Sequence, residues 1–231
     1  MKETNYISAE KAIRITTILT VLIAGFEISN ALRYYQPGMN LLDIASYVFA
    51  NPWIYGFTFI FMNLVMLPGA LALYKSNGIS LKDEIFDRKT LGGDILWGVI
   101  LMVIAALADL AFVLVSYGQT ELAFVDNIRK TPGLVILYFI SLVLVSGICK
   151  EIYFRGFAKN FCSSVFGENV AFLLFNMLFG LLDWYNMGYS FVLGLVCIWG
   201  YKKRKHLIVP MIVHGGVNLI GIIYGLIMQS M

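Results

Sequence analysis

Lys150, Glu151, Asp183 and His214 are ionisable side chains set in strongly apolar surroundings toward the C-terminal end of the sequence. Such groups cost a few kcal/mol each to place in a helix bundle, so they face its interior, find partners and mark function. Their spacing says which can act together. In the run Lys150-Glu151-Ile152-Tyr153-Phe154-Arg155-Gly156, Glu151 and Arg155 are i,i+4 and can pair along one helix face, while Lys150 lies about 100° round from Glu151. Phe179 and Asp183 share a face in the same way, as do His214 and Asn218, and Gly215 and Gly216 allow a second helix to come close. Two kinds of chemistry suit this set. Asp183 or Glu151 can serve as a base toward water while Lys150 polarises a carbonyl, because burial moves such groups far from their usual protonation ranges. Alternatively the same side chains form an interhelical polar network that holds a bundle together.

The elements that must position them are transmembrane helices. Of 231 residues 59% are hydrophobic and 13% charged, with mean hydropathy +0.79, too few charges to cover a water-facing surface. Apolar runs of roughly 17–25 residues, the length that crosses hydrocarbon as a helix, recur with short polar joints. They predict an all-α integral membrane protein, a bundle of about seven helices of that length. The predicted spans are residues 13–32, 52–74, 91–117, 133 to near 157, 170–187, 189–201 and 207–228. The sixth is short and is joined to the fifth by the turn signal Asn186-Met187-Gly188, and Pro68-Gly69 is expected to kink the second. The first run, preceded by Lys2, Lys11 and Arg14, has some character of a signal peptide, but Glu27 inside it and the many later spans favour a retained helix. Residues 1–132 then hold three helices and their loops, residues 133–231 a four-helix core, and the whole is expected to fold as one domain.

Basic residues orient the bundle. With the N-terminus cytoplasmic, thirteen Lys and Arg fall in cytoplasmic loops, and Arg33, Arg129 and Lys130 alone fall outside. Lys202, Lys203, Arg204 and Lys205 read as an orientation signal, and His206 beside them as interfacial. Glu27 and Asp109, single acids in apolar helices, read as structural partners for basic groups elsewhere in the bundle. Cys149, Cys162 and Cys197 lack the spacing of zinc sites or of a disulfide framework and read as packing residues. A net charge of +3, set beside apolar runs, does not suggest a nucleic-acid partner. The partners expected are the lipid bilayer and a membrane protein or peptide, in a multi-pass protein of the cell membrane.

Taken in order, these motifs resemble the family of CAAX proteases and bacteriocin-processing enzymes, the Abi family of intramembrane glutamate endopeptidases. Its members carry Glu-Glu-x-x-x-Arg, then Phe-x-x-x-His, then His-x-x-x-Asn or Asp, each on its own helix. The match runs over about residues 150–220 and includes Phe154 to Phe157, Phe179-Gly180, Gly194 and the Pro210-x-x-x-His214 spacing. The resemblance implies peptide hydrolysis without a cofactor: the first glutamate and first histidine activate a water, and the last histidine and asparagine stabilise the oxyanion. It assigns Glu151 to the second glutamate, Arg155 to the arginine, Phe179 to the phenylalanine, and His214 and Asn218 to the last pair. Two positions depart. Lys150 stands where the water-activating glutamate belongs, and Asp183 where its histidine belongs.

The two departures compensate each other electrostatically, since a carboxylate and a basic ring are replaced by an ammonium and a carboxylate. A Lys150–Asp183 contact would satisfy both groups, whereas either replacement alone would strand a charge. The reading that follows is a non-proteolytic member of the family that binds a membrane protein or peptide. The alternatives are an active endopeptidase with altered residues, acting on prenylated or bacteriocin-like peptides, and a proton-coupled transporter, although no internal repeat is visible. A metal hydrolase lacks its ligands, because there is no His-Glu-x-x-His and only two histidines.

Overall fold

The computed structural model describes residues 51–115, 132–183 and 187–228, with isolated positions between 14 and 39. Most of the predicted first span, Glu27, Arg129, Lys130 and Asn186 lie outside the described residues. The rest is helical. The helices are α1 (Pro52–Ser76), the short α2 (Leu81–Ile85), α3 (Leu91–Val115), a continuous helical run α4 over residues 132–166, α5 (Glu168–Leu182), α6 (Met187–Arg204) and α7 (Ile208–Met228).

Local chemistry sets these ends. Pro52 opens α1, where its missing N–H costs nothing. Gly78 closes the same helix with φ +66°, and the Ile79 and Gly78 amides donate back to the carbonyls of Tyr74 and Lys75. The Ser80 hydroxyl accepts the Asp83 amide at 3.3 Å to start α2. Gly167, at φ +80°, turns the chain from α4 into α5.

Tyr55–Ser76, Leu91–Ala111 and Gly133–Phe166 are each long and apolar enough to cross a membrane, while Glu168–Leu182 and Ile208–Tyr224 are apolar but shorter. Phe57, Phe61 and Leu64 on α1, and Leu96, Val103 and Leu107 on α3, stand at the surface. Rows of large apolar side chains facing outward require lipid rather than water as solvent. The chain is an all-α integral membrane protein.

The sixth span, expected to be short over 189–201, runs longer as α6, and two boundaries beside the site also differ from expectation. The fourth predicted span ends near Phe157, but α4 continues to Phe166 through two stretches of wide π-type turns, Phe139–Ser146 and Ile152–Cys162, around the regular Gly147–Glu151. The fifth was expected to run to Met187, but α5 stops at Leu182, so Asp183 caps the helix instead of lying within it. Both differences serve the same end. From Lys150 the chain climbs sixteen residues to Phe166, and from Glu168 it returns fifteen to Asp183. The two arms are nearly equal in residue count, and their ends meet in the Lys150–Asp183 contact.

The core is aromatic where α4, α5 and α6 meet, with Tyr153, Phe154, Phe157, Phe175 and Phe179 buried in mutual edge and tilted contacts. α1 lies along α4, and α7 packs on α3, α4 and α6. The crossing of α7 over α4 is set by glycine. A Cβ on Gly147 would stand 3.1 Å from the Gly215 Cα, and one on Gly215 would stand 2.9 Å from the Val143 carbonyl oxygen. No side chain fits between the backbones there. Cys149, Cys162 and Cys197 are buried, in keeping with a packing role.

Candidate functional site

The close approach of Gly147 and Gly215 places His214, the residue before Gly215 on α7, against Glu151, one helical turn on from Gly147. The His214 Nδ1 lies 2.7 Å from Glu151 Oε1, and Arg155 Nη1 donates to the same oxygen at 3.1 Å. Arg155 also reaches Asn176 Oδ1 with Nη2 at 3.4 Å, and Asn176 in turn donates to the Phe191 carbonyl at 3.0 Å. A Cβ at Gly194 would overlap Asn176 and Arg155, so glycine at that position on α6 makes room for this bond. Arg155 and Glu151 are fully buried, which makes the guanidinium and the carboxylate dependent on each other.

Lys150, one residue away, points elsewhere. Its Nζ donates to Asp183 Oδ1 at 2.8 Å, and the other carboxylate oxygen accepts from the Ser190 hydroxyl at 3.2 Å. The expected ion pair is therefore present, and it is buried, with Lys150 3% exposed. The ammonium also stands 5.0 Å from the centre of the Phe59 ring and 5.2 Å from that of Phe179.

Phe179 joins the two pairs. Arg155 lies 4.4 Å from its ring centre, and the His214 ring meets it edge-on at 5.3 Å. One aromatic ring thus touches both cations, which gains cation–π attraction in a dry setting. The site consists of two charge-balanced pairs with this ring as the shared member. Glu151 Oε2 has no hydrogen-bond partner among the described residues.

Of the residues singled out in the sequence, the structure gathers Lys150, Glu151, Arg155, Phe179, Asp183 and His214 into one buried cluster. Asn218, one turn on from His214, has a partner outside the cluster: its Nδ2 donates to the Leu142 carbonyl at 2.8 Å, within the first stretch of wide turns. Asp109 is half-buried on α3. A cavity of about 10 Å³, the room of a single water, touches Lys150 and Asp183. Among the described residues no group of three or more His, Cys, Asp or Glu side chains is placed to hold a metal ion.

Four contributors were not foreseen: Phe59, Asn176, Ser190, and Asn63, which lines the same cavity. Asn176 had a signal, since it precedes Phe179 by three and Asp183 by seven and so belongs to the same helical stripe. A second polar cluster was also missed. Asp94, fully buried in the first turn of α3, accepts from Arg204 Nε at 2.6 Å and from the Thr90 hydroxyl at 2.8 Å, with His206 Nδ1 at 2.8 Å. A carboxylate is favoured at a helix N-terminus, and here it ties the basic end of α6 to α3. Arg204 therefore holds a structural ion pair as well as belonging to a basic run. Glu84 makes a parallel tie, accepting from Lys159 at 3.0 Å and from the Tyr201 hydroxyl.

Residues 132–220 match the family described as type II CAAX prenyl endopeptidase Rce1-like. No curated protein and no solved structure matches the chain.

Proposed function

From a chain that is, over residues 132–220, a homologue of the type II CAAX prenyl endopeptidases, we propose a non-proteolytic role in which the family scaffold binds a membrane protein or a peptide. The observation that carries this reading is the buried Lys150–Asp183 pair at 2.8 Å, formed by the residues that stand in place of the family's water-activating glutamate and its histidine. An ammonium has no lone pair with which to take a proton from water, and both oxygens of the Asp183 carboxylate are already hydrogen-bonded, one to that ammonium and one to Ser190. Water attack on a peptide needs a base beside the water and donors beside the oxyanion, and the first of these is missing.

Purified protein in nanodiscs is expected to give no turnover of peptides with a prenylated or hydrophobic C-terminal segment. Lys150→Glu combined with Asp183→His is expected to give activity where either change alone does not, because the two side chains must share one water. Either single change also unbalances the charge of a closed site. Cleavage by the unmodified protein that is abolished in His214→Ala would overturn this reading. That outcome favours the second one, in which Glu151, with its free Oε2 and its His214 contact, is the base. A pH–rate profile of Glu151→Gln against Asp183→Asn would then identify the base.

We further propose a multi-pass protein of the cell membrane with the Lys202 to Lys205 turn on the cytoplasmic side, supported by the thirteen-to-three distribution of basic residues. Single cysteines introduced at position 203 and at position 231 are expected to label from opposite sides of the membrane. Labelling of both from the same side would exclude this topology.

A further inference from the structure

Asn63 is a buried amide in the middle of α1, 1% exposed, on a helix otherwise almost wholly apolar at that level. Its Nδ2 donates to the Phe59 carbonyl at 2.7 Å, one turn back in its own helix. That bond fixes which end of the amide is which, since a carbonyl accepts only from the NH₂ group. The Oδ1 end is left with no hydrogen-bond partner among the described residues. Asn63 lines the cavity of about 10 Å³ together with Lys150 and Asp183, and Met62, Met66 and Leu182 supply apolar wall. A water needs about that much space and two to four polar partners, and this cavity offers both.

We infer that this cavity is a one-water site in which the water accepts from Lys150 Nζ and donates to Asn63 Oδ1, making Asn63 a positioning residue for the ammonium. Lys150 has three N–H donors; Asp183 takes one, and the Phe59 and Phe179 rings stand near the others without accepting a full hydrogen bond. The water supplies the ammonium with a second oxygen acceptor. It also satisfies an amide oxygen that would otherwise be buried without a donor, which is a costly state. The Lys150–Asp183 pair is then anchored on three helices: α4 through Lys150, the end of α5 through Asp183, and α1 through Asn63. The inference rests on the cavity and the amide, and holds whether or not the chain cleaves peptides.

The test uses the full chain in nanodiscs, with thermal melting as the readout. Asn63→Asp puts a carboxylate one water away from the ammonium, so it should rescue the protein that has lost its own carboxylate. Asp183→Ala with Asn63→Asp is expected to recover at least half of the melting-temperature loss of Asp183→Ala, while Asp183→Ala with Asn63→Leu recovers none. Equal behaviour of the two double variants would overturn the inference. A density map of the unmodified protein at a resolution that shows waters decides independently of any variant's folding. Density within hydrogen-bond distance of both Asn63 Oδ1 and Lys150 Nζ supports the site; an empty cavity, or Asn63 bonded directly to Lys150, overturns it.

Discussion

Replacing Lys150 with alanine is expected to lower stability by about 3–5 kcal/mol, the usual loss when a buried ion pair is deprived of one member. Asp183 would be left with the Ser190 hydroxyl as its remaining described partner, its charge facing an apolar wall. Asp183→Ala is expected to cost the same order, because the ammonium would lose its carboxylate and keep two aromatic rings and the water inferred beside Asn63. The two losses should not add. Removing both members together, as Lys150→Met with Asp183→Leu, deletes the charges as well as the contact, and such replacements are often close to neutral. The exchange Lys150→Asp with Asp183→Lys should recover part of the loss, limited by the longer side chain entering from the shorter arm. Equilibrium unfolding in mixed micelles, assembled into a double-mutant cycle, reads the coupling directly. Strict additivity would mean that the contact does not exist in the folded protein.

Arg155→Met is expected to be as damaging, again by about 3–5 kcal/mol, and for a reason beyond the broken ion pair. Arg155 holds Glu151, Asn176 and the face of Phe179, so its loss leaves a buried carboxylate with only a histidine for company. Glu151→Leu in the same protein should restore most of that stability by removing the stranded charge. His214→Ala should cost less, about 1.5–3 kcal/mol, the range for one hydrogen bond to a charged group. A Glu151→Leu, Arg155→Met protein no more stable than Arg155→Met would show that the guanidinium acts through its packing on Phe179 and not through the carboxylate.

The pairing of Lys150 with Asp183 was readable in the sequence because the two departures from the resembled motifs put an ammonium and a carboxylate where a carboxylate and a basic ring belong, and either alone would strand a charge. Glu151 with Arg155 was readable from helical spacing alone. What periodicity cannot say is which atoms a polar group finds across a helix crossing. Asn218 shares a face with His214, as its spacing requires, yet it serves a carbonyl of α4 while His214 serves Glu151. Asn63 drew no notice as one amide in an apolar helix, since its importance comes from what α1 packs against. Asp94 was not singled out, and only the turn after α6 shows that Arg204 and His206 converge on it. The predicted end of the fifth helix was too late because Trp184, Tyr185 and Met187 extend the apolar pattern around Asp183, whereas the backbone leaves helical geometry at Asp183. Composition sees solvent preference, and the turn is a matter of backbone angles.

The wide stretches of α4 separate angular phase from length. A π-type turn closes its hydrogen bonds from i to i+5, taking one residue more than an α turn for the same circuit. Residues beyond Ile152–Cys162 therefore face a direction that regular geometry would not have given them. Lys159, which meets Glu84, and Asn160, which donates to the Tyr74 hydroxyl at 3.1 Å, lie within that stretch, so the direction each faces includes part of the added phase. One residue lost just after Arg155 would leave Lys150, Glu151 and Arg155 with their partners yet swing the last turns of α4 away from α1 and α2. The buried charges and the polar ties at the basic end of the bundle thus sit on one helix but answer to separate settings, and chain length within that stretch is the dial between them.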